Sequence, residues 1–263
     1  MSDAFSKFDL TGRTAIVTGG SRGMGREIVL GLARAGADVV IASRRIESCE
    51  AVAAEVRRET GRDALAYACH IGRWDELDGL VDAAYERFGR VHVLINNAGM
   101  SPIYDTPDDV TEALWDKVLD VNLKGAFRLM TLVGRRMLQD GGGSIVNVGS
   151  VSAVDPHAGV LPYAAAKAGL NALTLAFARG YGPSVRVNCV MPGAFMTDIS
   201  EHWDMDEFAR DVEGFALQRI AEPDEIVGTM LYLASDASSY TTGAVLRVDG
   251  GFLLRPGTGR VAP

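Results

Sequence analysis

The chain has 263 residues, of which 48% are hydrophobic and 23% charged, and its 34 acidic and 26 basic side chains leave a formal charge of −8. That balance excludes a disordered or collagen-like chain, and with no run of five like charges to gather a basic patch it repels nucleic-acid phosphates and anionic membrane surfaces. The length suits one large domain spanning 1–263, and the 30 glycines, about 11% where about 7% is usual, call for an explanation by position.

Met1 to Leu10 holds Asp3, Lys7 and Asp9 without an apolar segment, and no uninterrupted apolar run is long enough to span a bilayer. Neither secretion nor a membrane span is expected. Cys49, Cys69 and Cys189 show neither CxxC nor zinc-ligand spacing, so reduced thiols and a cytoplasmic location are expected. Short β-branched runs alternate with stretches of helical period, the pattern of a parallel sheet covered on both faces. The predicted strands are Thr14–Thr18, Asp38–Ala42, Ala64–Ala68, Val91–Ile95, Ser144–Val148, Val185–Val190 and Ala244–Val248. Met24, Ile28, Val29, Leu32 and Ala33 form one helical face that stops at Gly36, and Leu77, Leu80, Val81, Ala84, Tyr85 and Phe88 form another. Gly141-Gly-Gly-Ser144 reads as a turn feeding the fifth strand.

Directly after the first strand stands Thr18-Gly19-Gly20-Ser21-Arg22-Gly23-Met24-Gly25, opening a helix. Residues without Cβ at a first βα turn let backbone N–H groups and the helix dipole approach a pyrophosphate, although alone such a stretch also reads as a plain strand-to-helix turn. The second strand ends on Ser43-Arg44-Arg45 with no acidic residue from Val39 to Ile46. An acid there would suit ribose hydroxyls, whereas Arg suits a 2′-phosphate, so NADP(H) is favoured over NAD(H); a solvated helix-start pair is the bland alternative. Further on, Tyr163-Ala-Ala-Ala-Lys167 sets a phenol and an ammonium on one helix face, where the cation is expected to lower the phenol's pKa and suit it to acid/base work.

Together with Asn96-Asn-Ala-Gly99, Asn122 and Ser150, these motifs occur in one order, and from about Leu10 to Gly251 the chain resembles the short-chain dehydrogenase/reductase family. The resemblance implies a Rossmann-type α/β three-layer sandwich around a seven-stranded parallel sheet, and nicotinamide-dependent oxidoreduction between a carbonyl and a secondary alcohol. It casts Tyr163 as acid/base, Lys167 as its pKa-lowering partner and ribose contact, Ser150 as the group bonding the substrate oxygen, and Asn122 as support for a water-linked proton relay. It implies dinucleotide contacts from Gly19, Ser21, Arg22, Gly23, Met24, Gly25, Ser43, Arg44, Asn97, Ala98, Gly99, Pro192, Gly193 and Thr197, with Asn96 also stabilising the central sheet. The family usually places Asp after the third strand to hold the adenine amino group; here Cys69-His70-Ile71 stands instead, leaving His70 through a ring nitrogen, or the following backbone at Ile71, to make the contact.

Residues 194–220, with Phe195, Met196, His202, Trp203, Met205, Phe208 and Phe215, read as a substrate loop or as a packed helix pair, and Val154, His157 and Leu161 as pocket wall. No metal is expected, because His70, His92, His157 and His202 share no ligand spacing. An alanine-rich helix from Leu161 to Arg179 and the Asn122 helix are implied to build a homotetramer or homodimer. The expected partner is a small carbonyl or alcohol substrate, with no nucleic acid and no membrane. A 3-oxoacyl-thioester reductase and a non-catalytic NADP(H)-sensing protein are the rival readings; the intact Ser/Tyr/Lys/Asn set argues against the latter.

Overall fold

A computed structural model describes residues 4–197, 212 and 214–254. Seven parallel strands run β1 (Thr14–Thr18), β2 (Asp38–Ser43), β3 (Ala64–Ala68), β4 (Val93–Asn96), β5 (Gly143–Val148), β6 (Val185–Pro192) and β7 (Val245–Val248). They pair in the order β3-β2-β1-β4-β5-β6-β7. The helices are α1 (Gly23–Arg34), α2 (Ile46–Thr60), α3 (Glu76–Phe88), α4 (Glu112–Leu119), α5 (Gly125–Gln139), α6 (Leu161–Tyr181) and α7 (Val227–Ala234). A π-helical turn, Asp120–Lys124, joins α4 to α5.

The period-two alternation of a strand sends neighbouring residues to opposite faces, and both faces here are apolar. Ala15, Val17, Val39, Ile41, Val93 and Ile95 pack with residues of α1, α2 and α7, whereas Ile16, Val40, Leu94 and Ile145 pack with α3, α5 and α6. The result is a Rossmann-like α/β sandwich of three layers. Burying each of these Leu, Ile or Val side chains contributes about 1.5–3 kcal/mol, so the two helix layers are held by comparable cores.

The expected strands are all present, β1 and β3 with the expected ends and the others with shifted ones. β4 begins at Val93 rather than Val91, and the Thr14 amide beside it donates to His92 Nδ1 at 3.0 Å, so a side chain occupies the ladder's first position. β6 runs on to Pro192 because its end pairs with Val248 of β7. α1 stops where expected, with Gly36 at φ +103°, a conformation that costs glycine little. Gly141 and Gly142, at φ +89° and +112°, make the turn into β5.

Ala158–Tyr181, containing α6, is long and apolar enough by length and composition to cross a membrane. In this fold its Leu170, Thr174 and Ala178 are buried, and so is the charged Lys167. Between β1 and β4 the winding direction reverses, which opens a crevice at the carboxyl ends of the strands.

Candidate active site

The crevice is lined first by the turn after β1. Gly19 and Gly23 have φ of +65° and +51°, and a Cβ at Gly25 would overlap the Gly19 carbonyl oxygen, so the turn closes only without side chains. No side chain caps the first turn of α1, and its amides and dipole face the crevice as an anion site. Ser21 Oγ donates to Ser43 Oγ at 3.0 Å, joining this turn to the end of β2. Arg22, Arg44 and Arg45 are all exposed there, and among the described residues Arg44 and Arg45 make no ion pair. Met24 packs against the core beneath.

Across the switch point, Thr18 ties β1 to the turn after β4. Its hydroxyl accepts from the amides of Asn97 and Ala98, both at 3.0 Å, and donates to the Ile95 carbonyl. Asn97 Nδ2 returns to the Thr18 and Gly19 carbonyls at 3.0 and 3.3 Å. A Cβ on Gly99 would lie 3.0 Å from Asn122 Oδ1 and 3.6 Å from Lys167 Nζ, so Gly99 leaves the floor open between them. Thr197, beyond β6, comes within 3.4 Å of where a Gly23 Cβ would be. Gly193 similarly clears Asp249, whose Cα would stand 2.8 Å from a Cβ at that position. The glycines, Asn97, Thr197 and Pro192-Gly193 are thus gathered around one crevice.

The residues expected to be catalytic meet at the end of β5. Ser150 Oγ accepts from the Ser152 amide at 3.1 Å, and its hydroxyl lies near enough to the Tyr163 phenol to draw that group's pKa down. Lys167, 3% exposed, donates to the Val148 carbonyl at 2.6 Å, with Nζ 5.5 Å from the Tyr163 ring centroid. Burial lowers its pKa to about 8. An ammonium has three donors and Lys167 uses one among the described residues, so it retains capacity for a ligand hydroxyl. The expectation for Tyr163 is reversed here. Burial raises its pKa and the Ser150 hydroxyl draws it only partly back, because the lysine faces the Val148 carbonyl and not the phenol.

Asn122 sits in the π-helical turn with its amide fully engaged. Nδ2 donates to the carbonyls of Met100 and Val118 at 2.8 and 2.9 Å, while Oδ1 accepts from the Met100 amide at 3.1 Å. It therefore holds the loop after β4 against the helix. Asn96 Nδ2 donates to Asn147 Oδ1, and Asn147 Nδ2 to Thr174 Oγ1, both at 2.9 Å, a buried chain linking β4, β5 and α6.

Other expectations change. The His70 ring turns back on its own loop and accepts the Gly72 amide through Nδ1 at 3.1 Å, leaving only Nε2 for an outside group. Ile71 is 7% exposed, so its side chain belongs to the core and only its backbone can face a ligand. Phe195 and Phe215 are buried, as the packed reading of this segment has them. His202, Trp203, Met205 and Phe208 lie outside the described residues. Val154 and Leu161 are exposed beside Ser150 and Tyr163, as a pocket wall requires.

Three contributors escaped the sequence reading. Thr18 gave no signal beyond a strand-end hydroxyl. Tyr104 joins the loop after β4 to the start of α6, its hydroxyl donating to the Ala158 carbonyl at 2.9 Å and accepting from the Leu161 amide at 2.5 Å. Cys189 lies beside Asn171, and burial raises its thiol to about 11 although Lys167 pulls the other way. All three cysteines are buried and unpaired. Among the described residues no three His, Cys, Asp or Glu side chains gather as metal ligands.

A family model described as enoyl-(acyl carrier protein) reductase matches residues 19–253. The short chain dehydrogenase/reductase astE of Aspergillus oryzae is 37% identical over 254 residues, which cover 94% of this chain and 97% of that protein. The NADPH-dependent 3-quinuclidinone reductase of Rhodotorula rubra superposes with a TM-score of 0.91 at 29% identity, covering 97% of this chain and 96% of that one. A 7α-hydroxysteroid dehydrogenase in complex with NADH and 7-oxo glycochenodeoxycholic acid gives 0.91 at 32% identity, covering 95% and 98%.

Proposed function

The chain belongs to the short-chain dehydrogenase/reductase family, oxidoreductases that bind NAD(P)(H) and interconvert alcohols and carbonyls, and from that premise we propose an NADP(H)-preferring reductase of ketones with Tyr163 as its acid. The observation that carries the reading is the meeting of Ser150, Tyr163 and Lys167 at the end of β5, next to a crevice that only glycines could leave open. In the reductive direction a bound dinucleotide supplies the hydride that adds to the carbonyl carbon.

The chain's own residues do the rest. The Ser150 hydroxyl and the Tyr163 phenol hold the substrate oxygen, and the phenol passes its proton to that oxygen as negative charge develops. A phenol whose pKa is raised keeps this proton at neutral pH, which suits reduction. Lys167 would donate to a ribose hydroxyl with a donor left over from Val148. Asn122 keeps the helix open at its π-helical turn, where a proton relay to Lys167 would pass. Ser21, Ser43, Arg22 and Arg44 would hold a 2′-phosphate, with no carboxylate at the end of β2 to repel it. The His70 Nε2 and the Ile71 backbone are left to contact the adenine.

An absorbance assay of ketones and secondary alcohols, run in parallel with NADPH and NADH, tests this. NADPH is expected to be preferred, and Tyr163→Phe is expected to lower kcat about 10²–10⁴-fold. Turnover by Tyr163→Phe at the wild-type rate overturns the mechanism, and clear preference for NADH overturns the cofactor choice. A 3-oxoacyl-thioester reductase is the second reading; it shares an acyl-carrier thioester substrate with the description of the matching family model, which itself names reduction of a C=C bond. The exposed Ala165, Ala168, Ala172 and Leu175 of α6 favour a homotetramer or homodimer built on that helix in the cytoplasm, and light scattering showing only the 28.0 kDa protomer overturns the assembly.

A further inference from the structure

Charge around the crevice is divided. The described segments bordering Ser150 and Tyr163 are 97–112 after β4, 149–162 after β5 and 192–197 after β6. None of them holds a lysine or arginine, while Asp105, Asp108, Asp109, Glu112 and Asp155 are exposed carboxylates. Asp109 spends its carboxylate on the amide and hydroxyl of Thr106, and none of the five is paired with a cation among the described residues. The bonds of Tyr104 to Ala158 and Leu161 pin this acidic loop to the first turn of the helix bearing Tyr163. Large apolar side chains share the rim: Ile103, Val154 and Leu161 are 67%, 58% and 40% exposed. Lys167, the cation within, is buried and donates to the Val148 carbonyl. On the other side of the switch point Arg22, Arg44 and Arg45 are exposed, with Glu47 following in the first turn of α2.

Resting on the reductase reading above, we infer that this cleft takes an uncharged or cationic, largely apolar ketone or secondary alcohol, and discriminates against substrates carrying carboxylate or phosphate. A carboxylate entering here sheds water without gaining a counter-cation, and it meets like charges along the loop after β4 and at Asp155. Thioesters carried on a phosphate-linked arm face the same barrier, whereas an apolar body gains from covering Ile103, Val154 and Leu161.

Three aryl methyl ketones that differ only in a para trimethylammonium, methyl ester or carboxylate group separate the possibilities. With saturating NADPH at low ionic strength, kcat/KM for the ester and ammonium ketones is expected to exceed that for the carboxylate by about tenfold or more. The gap is expected to narrow with added salt and to shrink severalfold in the D105N/D108N/D155N variant. A carboxylate ketone turned over as well as its ester overturns the inference alone, as does a gap that neither salt nor the triple substitution moves. Turnover of none of the three, with NADPH binding seen by calorimetry, overturns the reductase reading and this inference together.

Discussion

The two halves of the crevice solve different problems. Around β1 and β2 the site is made of backbone: Gly19, Gly23 and Gly25 are fixed by what a Cβ would strike, and Ser21 and Ser43 lock the two turns together. Around β4 and β5 it is made of side chains, with buried Lys167, Ser150 and Asn122 on the floor and exposed carboxylates and apolar groups on the rim. A dinucleotide presents the same shape at every turnover, so a rigid backbone cradle suits it. A substrate oxygen needs a proton donor held in place, and the rest of the substrate needs only a tolerant wall.

The sharpest way to break this contrast is to burden the backbone half with one methyl group. Gly25→Ala places a Cβ against the Gly19 carbonyl and 2.5 Å from Asn97 Nδ2, and both neighbours are fixed by their own hydrogen bonds. We expect a stability loss of about 1–3 kcal/mol by denaturant titration. We also expect a fall in kcat/KM of about 100-fold, since displacement of the reacting groups by about an ångström suffices for that. Asp105→Asn, on the exposed rim, is expected to change stability by no more than about 0.5 kcal/mol. Equal effects at the two positions would erase the distinction.

A smaller effect separates phosphate recognition from the cradle itself. Arg44→Ala with Arg45→Ala is expected to raise the Kd for NADPH about 10–100-fold and to leave that for NADH nearly unchanged, because charge-assisted hydrogen bonds of about 1.5–3 kcal/mol would be lost only where a 2′-phosphate is present. Equal losses for both dinucleotides would mean that the two arginines stabilise the start of α2 instead.

The same contrast explains what was legible in the sequence. Strands covered on both faces read as β-branched runs, and a turn that forbids Cβ reads as glycine spacing, so the sheet and cradle appear in composition and order. The π-helical turn at Asn122 does not, because one extra residue in a helical turn leaves the apolar period almost intact. Tyr104 and Cys189 reach the site through contacts of long sequence separation, 54 residues to Ala158 in the first case and 18 to Asn171 in the second. Phe195 and Phe215 looked like lid residues because an aromatic in a loop has the same spelling whether it covers a ligand or fills the core. The direction of the Tyr163 shift depends on burial and on where the Lys167 ammonium points, and i, i+4 spacing fixes neither.

The smallest effect concerns the proton on Lys167, which stands between the two halves. Its pKa is about 8 in the folded chain against 10.5 ordinarily, since burial disfavours the charged form. Between those values the unfolded chain holds the proton more tightly, so this group makes stability rise with pH from about 8 to about 10.5, and Lys167→Met is expected to flatten that slope. A ribose hydroxyl accepting from Nζ would restore proton affinity, and binding would then draw a proton from solution. At about pH 9 the 2′-phosphate is already fully ionised and contributes nothing. Calorimetry of NADPH binding in buffers of different ionisation enthalpy is therefore expected to show proton uptake in the wild type and none in Lys167→Met. Binding without uptake would detach the lysine from the dinucleotide half and leave it as a strut for the Val148 carbonyl.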